Sequence, residues 1–217
     1  TMELVEALLL GTSGLLGDCY LDDYVRCLSD DYIYLSRKYN IILLQSAEWK
    51  RGGVRTHNRP LTRIVQLASF VARRDFMFDC VVNCRTRNDV YRLFDVEVSG
   101  YWTTHDVPDG TGERCPRCIG SEKADLLAIN AVVPVMFAYG QSTGKALFKD
   151  AALDLLADIP PENNAIVRSW SGVGAPVKNA LDTQALLQLR NEYCVSCLCT
   201  DCSVGTSILK KSGNTVC

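Results

Sequence analysis

The sequence predicts an all-α fold, an irregular multi-helix domain with little or no sheet. Three observations carry that reading. Apolar residues recur at three-to-four spacing through most of the chain, and the periodic segments stop at Gly, Pro or Asn. The single strand-like run, Ile41 to Leu44, has no partner of similar pattern. The chain has 217 residues, 47% of them apolar, which is enough to fill a sizeable core, and residues 1–217 are read as one helical domain. Within it, residues 100–120 are expected to form a hinge loop and 193–217 a cysteine-rich C-terminal segment.

The elements follow in order. Met2 to Leu16, with apolar residues at 4, 5, 8, 9 and 10, predicts a helix buried on most sides and broken at Gly11-Thr12-Ser13-Gly14. Leu21 to Tyr39 places Tyr24, Val25, Leu28, Tyr32 and Leu35 on one face, and Asp22 and Asp23 at its start suit the helix dipole. After a Trp49-Lys50-Arg51-Gly52-Gly53 loop, Pro60 opens a helix over Leu61 to Arg73 that is expected to bury Ile64, Leu67, Ala68 and Val71. Short helices are predicted at Phe76 to Asn83 and Asp89 to Val98. Glu122 to Tyr139 reads as an apolar helix that Pro134 kinks or divides. Lys145 to Ala157 is amphipathic and ends before Pro160-Pro161, and Asn164 to Trp170 is short. Asn179 to Tyr193, with Leu181, Ala185, Leu186 and Leu189 on one face, delivers the terminal cysteines at a helix end.

Charge excludes one broad class of function. With 23 Lys plus Arg against 25 Asp plus Glu, no global field attracts nucleic acid or an anionic membrane, so a polyanion contact must use a local patch. The longest apolar stretch, Leu126 to Tyr139, is interrupted by Asn130 and Pro134 and falls short of the roughly 20 residues of a spanning helix. Glu3 and Glu6 stand where a secretory leader carries basic residues, so the expected location is cytoplasmic, with no membrane partner. Eleven cysteines are an odd number and too sparse for a disulfide scaffold, which favours reduced thiols. Cys19, Cys27, Cys80 and Cys84 lie among apolar neighbours and read as small hydrophobes.

The densest chemistry is Cys194, Cys197, Cys199 and Cys202, four thiols in nine residues with two Cys-x-x-Cys spacings. Such turns let thiolates converge on a soft metal, and Cys115-Pro116-Arg117-Cys118 is the obvious second turn, about 75 residues upstream. Spacing alone leaves open a structural zinc, an iron–sulfur cluster, unliganded thiols, or redox chemistry. Arg55, His57, Asn58, Arg59 and Arg63 gather donors beside a helix start, which suits a phosphate or carboxylate; a solvated loop with internal ion pairs is the bland alternative. Gly140-Gln141-Ser142-Thr143-Gly144-Lys145-Ala146 is not a P-loop: it has three residues between its glycines instead of four, and Ala146 replaces the magnesium-binding hydroxyl. His105 and Asp106, beside Thr103 and Thr104, lack the context of a triad, and His105 reads as a surface histidine.

Several stretches together resemble the C-terminal half of the bacterial family catalogued as domain of unknown function 2851. They include Glu6 to Leu16, Val54-Arg55 with Asn58 and Pro60, Arg63 to Ala68, Tyr101-Trp102-Thr103-Thr104-His105, Ile129 to Pro134, Phe137 to Gly140, Glu162-Asn163-Asn164 and Gln184 to Cys194. The resemblance implies an upstream half similar to the PD-(D/E)XK nucleases, with this chain as its helical companion. It also implies a cysteine staple of the iron–sulfur kind found in some of those nucleases. Family members carry an aromatic at the position of Arg59 and a proline at that of Thr56. They share the spacing of Cys194, Cys199 and Cys202 without Cys197 or the Cys115 to Cys118 turn.

The expected function is therefore a non-catalytic helical domain supporting a nuclease-like partner half. Zinc or an iron–sulfur cluster is expected on Cys194, Cys199 and Cys202, with Cys197, Cys118 or Cys115 as further ligands, and nucleic acid is expected at Arg55, Asn58, Arg59 and Arg63. The competing expectation is a stand-alone hydrolytic or redox enzyme using His105 or the C-terminal thiols.

Overall fold

A computed structural model describes residues 1–16, 21–49 and 58–213. Helices dominate, and the sheet among these residues is one small antiparallel pair, β1 (His105–Val107) and β2 (Gly110–Thr111), so the fold is all-α as the periodicity predicts. The chain forms two compact units, Thr1–Val81 with Val90–Ala124, and Val82–Asp89 with Asp125–Cys217. The segment 100–120, expected to be a hinge within a single domain, lies wholly inside the first unit.

In the first unit, α1 (Met2–Thr12), α2 (Asp23–Tyr39) and α3 (Pro60–Arg73) enclose a core of Ala7, Leu10, Leu28, Leu61, Ile64, Val65, Val98 and Trp102. Local chemistry sets the ends of α2. The Asp22 carboxylate accepts from the Tyr24 N–H at 2.9 Å, and Asn40 closes the helix in the left-handed conformation at φ 50°. Pro60 occupies the first turn of α3, where its missing N–H has no helical acceptor to lose. The buried face of α3 is Leu61, Thr62, Ile64, Val65, Gln66, Ala68, Ser69 and Phe70, which corrects the predicted stripe: Leu67 and Val71 are exposed. Two polar side chains, Gln66 and Ser69, take inward positions because each finds a backbone acceptor there. Ile41 to Leu44 is no strand; it has no regular secondary structure, and Leu44 N donates to Thr12 O at 2.9 Å.

The short helices are α4 (Met77–Val82) and α5 (Arg87–Leu93); the second stops five residues before its predicted end, and Val96 and Val98 are buried from the segment without regular structure that follows. Of the cysteines read as small hydrophobes, Cys84 is buried, Cys27 and Cys80 are exposed, and Cys19 lies outside the described residues.

In the second unit, the helix predicted to kink or divide at Pro134 instead runs on through a π-helical turn just before the proline. Ser121–Leu127 (α6) continues through a wide turn at Ala128–Val132 into α7 (Val133–Thr143), so Pro134 falls in a first turn and its lack of an N–H is absorbed. The continuous helical stretch Ser121–Thr143 spans 23 residues, and an 18-residue window of it has mean hydropathy 1.3, long and apolar enough by length and composition alone to cross a membrane. It carries Glu122, Lys123 and Asp125, and it buries Ala128, Ile129, Val132, Val133 and Met136 in protein. Its α7 packs on α8 (Ala146–Asp158) so closely that a Cβ on Gly140 would sit 2.9 Å from the Lys149 backbone nitrogen. The sequence that superficially resembles a P-loop is the end of α7, closed by Gly144 at φ 68°.

Asn164 and Asn179 cap α9 (Ala165–Gly172) and α10 (Ala180–Leu189) by accepting from Val167 N and Asp182 N. The fully buried residues of α10 are Ala180 and Thr183, whereas Ala185, expected inside, is exposed. A π-helical turn at Arg190–Cys194 leads into the cysteine segment, and α11 (Ser203–Gly213) follows it.

Candidate functional site

The first unit holds a buried carboxyl that the sequence reading does not single out. Glu6, on the core face of α1, is 0% exposed. Its Oε2 accepts from Tyr24 O–H at 2.6 Å, Trp102 Nε1–H at 3.0 Å and Ser99 O–H at 3.4 Å, while Oε1 accepts from no described residue. Burial pushes its pKa above the usual carboxylate value, and the three donors only partly oppose this. Burial, reinforced by the hydrogen bond to Glu6, also holds the Tyr24 phenol well above its ordinary range.

An aromatic stack runs outward from this carboxyl. Tyr24 stacks on Tyr101 at 4.5 Å, Tyr101 stacks on His105 at 3.9 Å, and Trp102 meets Tyr101 edge-on at 4.8 Å. His105 is thus no surface histidine: its side chain is 15% exposed. Its Nδ1 lies 2.9 Å from the Tyr101 carbonyl and 3.0 Å from Thr104 Oγ1, and its Nε2 faces Asp22 Oδ2 at 4.0 Å. Asp109 ties the hairpin to α2 by accepting from Leu21 N and Asp22 N at 3.2 and 2.9 Å.

The Cys115 to Cys118 turn is held by the same framework. Gln66 donates to the carbonyls of Arg117 and Cys118 at 2.7 and 3.2 Å, the buried Arg117 pairs with Asp106, and its Nε donates to Trp102 O at 3.0 Å. Cys115 and Cys118 themselves are exposed.

Gln66 also links this turn to the predicted basic group. Arg63 donates to Gln66 Oε1 at 2.6 Å and to Asn58 Oδ1, so two of the four predicted anion-binding residues are bonded to one another. Burial lowers the Arg63 pKa, the cost of holding that charge partly out of water. Arg59 joins none of the ion pairs among the described residues. It lines a cavity of about 440 Å³ with Leu15, Pro60, Leu61, Asp106, Val107 and Pro108. Arg55 and His57 lie outside the described residues.

In the second unit the terminal cysteines share one tight turn. Cys197 takes the left-handed conformation at φ 54°, Leu198 N donates to Tyr193 O, and Cys202 N donates to Leu198 O. Cys194, Cys197 and Cys199 are exposed; Cys202 is buried, and its Sγ accepts from Gly205 N at 3.5 Å. Four thiols suit zinc or an iron–sulfur cluster chemically. Among the described residues no group of three or more His, Cys, Asp or Glu side chains is placed to hold a metal ion, so ligation by these thiols requires the turn to draw them together. Gly205 fixes the turn, since a Cβ there would stand 2.3 Å from the Cys199 carbonyl oxygen. Gly205→Ala is expected to loosen it, raising the rate at which Cys202 reacts with a thiol reagent several-fold toward that of its exposed neighbours.

Together these features define a mostly helical protein with a polar core network, a lined cavity and a cysteine-rich turn. The model of a family described as "Protein of unknown function (DUF2851)" matches residues 1–165, and the chain belongs to that family. No curated protein and no solved structure matches it. The carboxyl, the stack and the cavity lie within the matched residues, and the terminal cysteines lie beyond them.

Proposed function

We propose that the chain is a non-catalytic helical domain that supports a nuclease-like partner half and contacts nucleic acid through the basic edge of α3. The observation that carries this reading is the difference in how the polar side chains are committed. The groups suited to proton transfer, Glu6 and His105, are engaged in core hydrogen bonds and ring stacking, whereas Arg59 makes no ion pair among the described residues. Asn58 and Arg63 then position the start of α3 and Arg59 supplies the charge, with Arg55 as a further cation from the neighbouring sequence.

The test is a fluorescence titration of a labelled oligonucleotide at low salt. Arg59→Ala is expected to weaken binding about 3- to 10-fold, since one phosphate contact is worth on the order of 1 kcal/mol. Unchanged affinity removes the nucleic-acid role.

The cysteine-rich turn completes the proposal as a site for zinc or an iron–sulfur cluster on Cys194, Cys199 and Cys202, the fourth ligand coming from Cys197 or another chain. Anaerobically purified protein is expected to contain about one equivalent of zinc, or iron with matching sulfide and a brown colour. Metal-free protein whose thiols all titrate eliminates this part.

A further inference from the structure

The cavity beside Arg59 combines features that the nucleic-acid reading does not use. Its walls are apolar, formed by Leu15, Pro60, Leu61, Val107 and Pro108. Its volume, about 440 Å³, falls in the range of small-molecule pockets and suits an organic body much better than a phosphodiester.

Two charged residues border it, and their charges are not equivalent. Asp106 is neutralised by Arg117, a residue 9% exposed and anchored to the Trp102 carbonyl. The next cation along, Arg63, is bonded to Asn58 and Gln66. Among the described residues, then, the cavity carries one positive charge without an ion-pair partner, that of Arg59, beside an apolar interior. A neutral ligand would leave that guanidinium without an ionic partner among the described residues, and a dianion would bring a second charge that no further unpaired cation among the lining residues meets.

We propose that this cavity binds a small amphipathic monoanion, an apolar body carrying a single carboxylate, with Arg59 pairing with the carboxylate and the Leu15, Leu61 and Val107 side chains enclosing the body. Arg–carboxylate pairing is directional and bidentate, so it selects the acid over its uncharged analogues. The proposal does not depend on nucleic-acid binding, although both use Arg59.

The probe is 1-naphthoate, with 1-naphthamide as its uncharged counterpart of nearly equal shape, titrated into the full chain. Naphthoate is expected to bind at least about 5-fold tighter than the amide, and Arg59→Ala is expected to abolish that preference. Val107→Trp, at an exposed position, fills the cavity and removes no cation. It is expected to lose naphthoate binding while oligonucleotide affinity stays as in the unaltered chain. As a readout independent of variants, amide resonances of Leu15, Leu61 and Val107 are expected to shift on titration. Equal binding of acid and amide, naphthoate binding unaffected by Val107→Trp, resonance shifts confined to other residues, or no binding up to about 5 mM would each overturn the proposal.

Discussion

Glu6→Ala is expected to destabilise the protein by about 3–5 kcal/mol, measured by urea or thermal unfolding, because one truncation strands three donors in the core. Tyr24, Trp102 and Ser99 all converge on Glu6 Oε2, and Trp102 is itself 1% exposed, so water cannot replace the lost acceptor without opening the core. Glu6→Gln keeps an acceptor oxygen and nearly the same volume, and its cost is expected to be about 1–2 kcal/mol. The pair also separates packing from ionisation. Burial raises the Glu6 pKa above its ordinary 4.5, so the folded chain holds this proton more tightly than the unfolded chain does. That contribution is fully present below about pH 4.5 and is lost as pH rises through the raised folded value. Glu6→Gln is therefore expected to flatten the decline in stability across that window. An equally steep decline in the variant would show that another group is responsible.

The second large effect is expected at Gly11, where α1 passes α2. A Cβ at this position would lie 2.1 Å from Cγ of Tyr32, the root of the ring and not its flexible tip, so the two helices must separate or Tyr32 must leave its place. Gly11 sits inside α1, where alanine normally adds about 1 kcal/mol of helix stability. The expected outcome reverses that sign: Gly11→Ala destabilises by about 2–4 kcal/mol, in the manner of an overpacked core. Combining it with Tyr32→Ala is expected to restore part of the loss, because the obstructing ring is gone. Gly11→Ala with unchanged stability would contradict the close helix crossing.

Why helices were legible in the sequence and their buried faces less so follows from where the information lies. Caps and breakers act over a few residues, so Asp22, Asn164, Asn179, Pro60 and Gly144 mark helix ends that the structure shares. Which face is buried depends on neighbours distant in sequence. On α3, Gln66 points inward because it anchors carbonyls 51 and 52 residues away, and Leu67 is left outside, an exchange that hydrophobicity alone cannot anticipate. Glu6 shows the same limit. A lone acid between Val5 and Ala7 reads as solvated until the partners from residues 24, 99 and 102 are known, although its place in an apolar run is the one local signal of a buried polar group.

The loop read as a hinge carries a similar lesson. Residues 100–120 are rich in Gly, Pro and charge, yet they are fastened by the Arg117–Asp106 pair, the Gln66 bonds and the hold of Asp109 on the start of α2. Every one of those partners is polar, so composition alone does not distinguish a tied loop from a loose one. At the candidate site, residue spacing brought Asn58, Arg59 and Arg63 to one edge of α3. Only the structure divides them into two that bond each other and one that faces a cavity.

The proposed nucleic-acid contact places a few local cations on an evenly charged chain. Its most direct test is the salt dependence of oligonucleotide affinity for the unaltered chain. Each neutralised phosphate of a single strand contributes a slope of about −0.7 in log K against log salt, so a contact built on Arg59 and one or two neighbours predicts a slope between about −0.7 and −2. Absence of binding at low salt, or a slope of zero, would contradict this contact, and a slope steeper than about −5 would require many more phosphate contacts than Arg59 and its neighbours supply.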